Sequence, residues 1–176
     1  MALARQVCLR LLTLAPRTRA QLADALKKRG VPDDVAEDVL GRFTDVGLID
    51  DAAFARAWVE SRHHGRGLSA RALSAELRRR GVDDDEIRAA VDELGPDAEV
   101  ETARLLVRKK LSATRGLPAQ ARTRRLAGVL ARKGYPPGLA FRVIREALEA
   151  DGATEGPEGL GLDGLDADGD DFIISP

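Results

Sequence analysis

The sequence predicts an all-α fold: a tandem array of three three-helix repeats forming an elongated, curved molecule, with a disordered acidic C-terminal tail. Three observations lead to this prediction. Hydrophobic residues make up 44% of the 176 residues but aromatic residues only 3%, so the core is expected to be aliphatic and rich in the helix-favouring Leu and Ala. Apolar positions recur at helical spacing, without alternating strand patterns. A leucine-rich segment ending in glycine occurs three times, with its glycines 51 and 53 residues apart.

Each repeat opens with an amphipathic helix. The first repeat spans residues 1–50, the second 51–96, and the third, which is the most basic, 97–150. The N-terminal stretch carries a charge inside its apolar run, which favours a helix over a signal peptide. The apolar faces of these first helices are expected at Leu3, Val7, Leu11 and Leu14, at Phe54 and Trp58, and at Ala103, Val107 and Leu111.

The second helix of each repeat ends at a glycine. Leucines lie eight and four residues before it, and positions four apart share a helical face. Lys and Arg crowd the last turn, where they oppose the negative end of the helix dipole, and glycine suits the left-handed conformation that ends a helix. The three sets are Leu22, Leu26 and Gly30; Leu73, Leu77 and Gly81; and Leu126, Leu130 and Gly134.

The third helix of each repeat opens with Asp or Pro, which favour helix starts. Its apolar face completes a repeat whose three helices cannot bury their surfaces alone, so neighbouring repeats are expected to stack. Such an array offers a long surface rather than one deep pocket. The expected faces are Val35, Val39 and Phe43; Ile87, Val91 and Leu94; and Leu139, Val143 and Leu148.

Charge divides the chain into a basic body and an acidic end. All 28 Lys and Arg residues precede residue 150, with 21 of the 29 acids, which leaves this body at +7. Residues 150–176 hold the other eight acids and no base. The split indicates a polyanionic partner, a tail that masks the body, or both. The composition of residues 151–176 predicts a disordered acidic tail.

The third repeat holds the predicted contact surface. Residues 102–149 contain 12 basic and 2 acidic side chains. An ordinary solvated face is the alternative, but it would leave a dozen like charges repelling one another without local partners, so we favour an anion-binding surface. Because aromatic platforms are nearly missing there, DNA contact is expected at phosphates without sequence preference. The predicted filament- or DNA-binding residues are Arg104, Arg108, Lys109, Lys110, Arg115, Arg122, Arg124, Arg125, Arg132 and Lys133.

Two adjacent carboxylates, Asp50 and Asp51, raise the question of catalysis. They precede a helix, where either can accept hydrogen bonds from free amides, whereas an acid–base pair needs carboxylates that converge across a pocket. We therefore expect helix capping and no enzyme activity. His63 and His64 are adjacent and Cys8 is the only cysteine, so no catalytic residue, metal site or cofactor is predicted.

The stretch "GLIDDAAFARAWVESR" followed by "GLSARALSAELRRRGV" resembles the RecX family, regulators of the RecA recombinase. The matching residues are Ile49, Asp50, Asp51, Phe54, Ala55, Trp58 and Arg62, then Leu73, Glu76, Leu77, Arg80 and Gly81. The roles of Asp50, Asp51, Phe54, Trp58, Arg62 and Gly81 are expected to be mainly structural. The His63-His64 link and the acidic tail depart from the family pattern.

The resemblance implies a protein that lies along the helical groove of a RecA–DNA filament and inhibits the recombinase, damping ATP hydrolysis, strand exchange and co-protease function. Recombination, DNA repair and the SOS response would be modulated in this way. The expected protein is a cytoplasmic monomer with no membrane segment and contacts single- or double-stranded DNA through phosphates. The alternative is a sequence-independent DNA-binding protein acting through the basic third repeat.

Overall fold

The structure, a computed structural model, describes residues 1–152; the predicted tail beyond them lies outside the described residues. Within this range the secondary structure is entirely helical, which confirms the predicted fold class. The helices are α1 (Ala2–Leu14), α2 (Arg19–Lys27), α3 (Asp33–Asp45), α4 (Asp51–Arg66), α5 (Ala70–Arg79), α6 (Asp84–Asp92), α7 (Gly95–Leu111), α8 (Ala119–Arg132) and α9 (Pro137–Ala150), with a short 3-10 helix at Ser112–Thr114.

The helices form three units, α1–α3, α4–α6 and α7–α9, and each unit has its own aliphatic core. The closest helix packing is within units rather than between them, as expected for a tandem array. The predicted leucine pairs of the second helices are fully buried. In the described range, no helix combines the length and apolar character needed to cross a membrane.

The predicted apolar face of α1 is wrong in part. Leu3 and Leu14 are exposed, whereas Ala4, Val7 and Cys8 are buried against the first unit. The buried face includes Ala4 rather than Leu3 in the first turn, and Leu14 in the last turn lies beyond it.

Glycine ends the second helix of every unit, as predicted. Gly30, Gly81 and Gly134 have positive φ angles of 70°, 75° and 84°. In all three units the amide after the glycine donates to the carbonyl five residues earlier, for example Val82 to Leu77 at 3.2 Å. These bonds satisfy carbonyls that the helix end would otherwise leave free.

The first and second units meet where α2 begins and α5 ends. The Thr18 hydroxyl donates to the Arg80 carbonyl at 2.6 Å, and the Arg19 amide donates to Asp51 Oδ1 at 2.9 Å. A Cβ added to Gly81 would lie 2.3 Å from the Ala20 Cβ. Glycine is therefore required here both for its backbone angle and for its lack of a side chain.

The second and third units meet in the same way. The Ser69 amide donates to the Lys133 carbonyl at 3.0 Å, and the Ala70 amide donates to Glu99 Oε1 at 2.9 Å. A Cβ on Gly134 would lie 2.7 Å from both Ala72 Cβ and Ser69 Oγ. At each junction, then, the start of one second helix contacts the glycine end of the next.

Candidate anion-binding surface

The ten predicted contact residues lie on two helices of the third unit and on the link between them. Four are on α7, Arg115 follows the 3-10 helix, and the remaining five are on α8 or at its C-terminal end. Helices α7 and α8 pack against each other. The structure therefore places all ten residues on the third unit, but their burial and their ion pairing differ.

Three of the ten are paired with carboxylates. Arg104 contacts Glu101 at 2.6 Å and Glu146 at 3.0 Å. Arg115 contacts Asp151 at 2.9 Å, and Arg122 also pairs with that carboxylate. The expectation that these arginines lack local partners is wrong, because α9 brings acids that are distant in sequence against α7 and α8.

Arg122 is a structural residue of the third unit. Its side chain is only 9% exposed, and its Nε donates to Thr114 Oγ1 at 3.2 Å as well as facing Asp151. Arg122 lies four residues before Leu126, the position that Thr18 and Ser69 occupy before their own leucines. Helix α8 begins three residues earlier than this position, so a buried arginine replaces the hydroxyl that caps the other second helices.

The Asp151 ion pairs predict a pH dependence of stability. Hydrogen bonds from Arg115 and Arg122 hold the pKa of Asp151 below its usual value. A carboxyl with a lowered folded-state pKa stabilises the fold above its unfolded pKa of about 4, and that contribution is lost as the pH falls through the lower folded value. We expect Asp151→Asn to lower the melting temperature at pH 7 but not at pH 2, measured by circular dichroism. An equal loss at both pH values would contradict the ion-pair contribution.

The other seven predicted residues form what we call the third-unit basic surface. Six are exposed and Lys133 is half-buried, and within residues 1–152 none of them forms a salt bridge. Among residues 1–152, no carboxylate pairs with these positive charges, and such an uncompensated surface attracts anions. The surface consists of Arg108, Lys109, Lys110, Arg124, Arg125, Arg132 and Lys133.

The two aspartates of the motif have different contacts. Asp50 caps α4, its Oδ1 accepting from the Ala53 amide at 2.8 Å. Asp51 instead accepts from Arg19 of the preceding unit. Burial raises the pKa of Asp51, and the Arg19 amide and charge act in the opposite direction. Capping of α4 was the expected role of both; only Asp50 caps it, while Asp51 caps α2 because α2 starts beside it.

The remaining motif residues surround one aromatic side chain. Trp58 stacks on Phe54 at a centroid distance of 5.7 Å and donates from Nε1 to Glu76 at 2.8 Å. The guanidinium carbons of Arg62 and Arg80 lie 4.2 and 3.8 Å from the centre of its ring. The contact of Trp58 with Arg80 crosses between helices, and spacing along the sequence gave no signal for it.

His63 is buried between α4 and α7. Its Nδ1 lies 2.9 Å from the Leu68 carbonyl, and its Nε2 lies 2.8 Å from the Thr102 hydroxyl. Because a carbonyl can only accept, Nδ1 donates to the Leu68 carbonyl. Both ring nitrogens are thus satisfied, and in the described part of the chain no group of three or more His, Cys, Asp or Glu side chains is arranged to hold a metal ion.

Family models match all three units. The first three-helix domain of RecX matches residues 4–43, the second matches 50–91 and the third matches 97–144. A likeness to solved structures supports the fold. A crystal structure of RecX from Lactobacillus salivarius has a TM-score of 0.76 at 19% identity, covering 82% of this chain and 94% of that one. A crystal structure titled regulatory protein RecX has a TM-score of 0.72 at 24% identity, covering 82% and 71%.

Sequence relatives are similar over most of their length. Regulatory protein RecX of Thermobifida fusca is 65% identical over 151 residues, which cover 86% of this chain and 82% of that protein. Regulatory protein RecX of Streptomyces lividans is 62% identical over 92% of this chain and 85% of that protein, and the Mycolicibacterium smegmatis protein of the same name is 52% identical. With all three domains matched and these identities spread along the chain, the protein belongs to the RecX family of regulatory proteins.

Proposed function

We propose that this protein binds a RecA–DNA filament along its helical groove and inhibits the recombinase without performing chemistry of its own. The observation that carries the proposal is the third-unit basic surface, seven cationic side chains without a salt bridge in residues 1–152. A filament groove lined by DNA phosphates and acidic protein side chains is complementary to such a surface. Family membership supports a regulatory role, because the relatives are named as regulatory proteins. The choice of RecA as partner follows from the resemblance described above.

The array can act as a stiff insert because the same contacts recur at both junctions. Thr18 and Ser69, which precede α2 and α5 at the two junctions, are fully buried. An elongated insert of fixed shape would occupy the groove across more than one recombinase subunit and oppose the rearrangements that accompany filament growth. ATP hydrolysis, strand exchange and co-protease activity would then fall together, with consequences for recombination, DNA repair and the SOS response. The protein would act as a cytoplasmic monomer.

The test is the DNA-dependent ATPase of RecA on preformed filaments, with this protein added in substoichiometric amounts. We expect the rate to fall and the filaments to shorten, because one bound molecule affects several subunits. Excess single-stranded DNA added beforehand controls for simple sequestration of DNA. An unchanged rate and an unchanged filament length would contradict the proposal.

Sequence-independent DNA binding by the third unit is the second candidate function. Its aromatic side chains favour phosphate contact over base stacking: Tyr135 is 3% exposed and its hydroxyl donates to the Gly67 carbonyl at 3.0 Å. Burial also raises the pKa of this hydroxyl. Binding would then persist without recombinase and weaken with salt, with a slope of about −0.7 per neutralised phosphate on single strands. Absence of binding without recombinase would leave only the filament-bound function.

A further inference from the structure

The junction between the first and second units carries a cluster of arginines around the only tryptophan of the chain. Arg62 lies one turn after Trp58 on α4, and Arg80 follows the end of α5; both guanidinium groups lie over the ring. Contact with an aromatic face holds a guanidinium in place without neutralising it. Two positive charges are therefore held at one aromatic side chain, and neither guanidinium forms a salt bridge within residues 1–152.

Arg17, in the segment before α2, adds a third charge to this cluster. Burial lowers the pKa of Arg80, Glu76 opposes the lowering, and Arg62, Arg79 and Arg17 add to it, so these groups lie within each other's field. Glu76 is the carboxylate among them, and it already accepts the Trp58 Nε1 proton. In residues 1–152, no salt bridge involves Arg17, Arg62 or Arg80.

Two donors of this cluster are buried without an acceptor. Arg17 Nε and Arg80 Nε have no hydrogen-bond partner in the described structure. A third such nitrogen, Arg19 Nη1, belongs to a guanidinium that is paired with Glu37. A buried donor without a partner is costly, and such donors are rare in native proteins. An anion bound at these guanidiniums, with their side chains turned toward it, would remove that cost.

We propose that Arg17, Arg62 and Arg80 form a binding site for the phosphates of nucleic acid at the junction of the first two units. The forked donors of guanidinium match phosphate oxygens, and three guanidiniums against one occupied carboxylate leave a net charge of +2 for the ligand. The site lies outside the third-unit basic surface and needs no recombinase, so it is independent of the function proposed above.

The repeat favours a chain of phosphates over an isolated carboxylate. At the first junction the glycine end of α5 presents Arg79 and Arg80, and at the second the glycine end of α8 presents Arg132 and Lys133. At both ends, the carbonyl before the glycine accepts a hydrogen bond from the preceding unit, from the Thr18 hydroxyl at the first junction and from the Ser69 amide at the second. Basic side chains thus recur at equivalent places along the array, and a sugar–phosphate backbone supplies negative charge at regular intervals.

The fluorescence of Trp58 can report directly on ligand binding at this site. We expect titration of the full chain with a single-stranded oligothymidine, without recombinase, to change its tryptophan fluorescence, because Trp58 contacts two of the three binding arginines. Inorganic phosphate and polyglutamate are the competing probes. Phosphate binding as tightly as the oligonucleotide, or polyglutamate displacing it at equal charge, would overturn the assignment to nucleic acid.

The variant Arg17→Gln/Arg62→Gln/Arg80→Gln, followed by anisotropy of a labelled oligonucleotide, tests the residues. Each lost phosphate contact costs about fivefold in affinity at 0.1 M salt, so the three together should cost about 100-fold and make the salt slope shallower by about 2. The matched control is Arg5→Gln/Arg10→Gln/Arg42→Gln, which removes the same charge from exposed positions of the first unit.

The single variant Arg17→Gln tests the site with less risk of misfolding than the triple variant, because Arg17 precedes α2 and is not part of a helix. It should weaken binding about fivefold at 0.1 M salt with unchanged helicity. Equal affinities and equal salt slopes for the triple variant and its control would overturn the proposal.

Discussion

Reversal of Arg124, Arg125 and Arg132 to glutamate is expected to abolish inhibition of RecA and to lower affinity for single-stranded DNA at least about 100-fold at 0.1 M salt. All three side chains are exposed on α8, whereas Leu126 and Leu130 of the same helix are fully buried. Loss of three phosphate contacts accounts for about 100-fold through counterion release alone, and the new carboxylates add repulsion. Fluorescence anisotropy of a labelled oligonucleotide and the RecA ATPase measure the two effects.

The matched control for this reversal is Arg5→Glu/Arg10→Glu/Arg42→Glu, which gives the same charge change on exposed positions of the first unit. It should retain most of the affinity and most of the inhibition, because long-range steering alone is weakened. If the α8 variant bound DNA normally but failed to inhibit, DNA binding by the third unit would be excluded as the function. If it inhibited normally, the third-unit basic surface would not be the contact.

The substitution Gly134→Ala is expected to destabilise the protein by about 2–5 kcal/mol. An L-residue in the left-handed conformation costs about 1–2 kcal/mol, and Gly134 has a φ of 84°. The new methyl group would also lie 2.7 Å from both Ala72 Cβ and Ser69 Oγ, an overpacking that costs about 1–3 kcal/mol. The free energy of unfolding from urea titrations measures the sum.

Gly30→Ala is a control that the repeat itself provides. Gly30 ends α2 with a φ of 70°, but a Cβ there would meet nothing within 4 Å. It should therefore show only the backbone cost of about 1–2 kcal/mol. The difference between the two variants measures how tightly the second and third units are joined. Equal losses would mean that the junction can relax around the added methyl group.

Much of the fold was predictable because its signals are local. Nine residues are enough to specify each second helix: leucines four residues apart, a basic last turn and a following glycine. In the first unit, Leu22 and Leu26 are buried and Gly30 ends the helix, as predicted. The exposure of Leu3 and Leu14 was not predictable from periodicity, since it depends on which side of α1 packs against α2 and α3.

The candidate site was predictable only in part, because charge counts carry no information about distance. Arg104 and Glu146 are 42 residues apart in sequence and Arg122 and Asp151 are 29 apart, yet both pairs are in contact. The packing of α9 on α7 and α8 creates these pairs. The Trp58 cluster has one local signal, Arg62 four residues later. Arg80 joins it through the packing of α4 against α5, and Arg17 through the docking of α2 against the end of α5.

The buried Arg122 also makes the third unit different from the first two at the place where units dock. Thr18 and Ser69 each precede a helix whose first turn contacts the next unit. At the equivalent place in α8, the Arg122 guanidinium instead contacts Asp151 and Thr114. The hydroxyl contact by which Thr18 joins the first unit to the second has no counterpart at this place in the third unit. If the array lies along a filament as proposed, the length of filament that one molecule covers is set by the stacking of these three units.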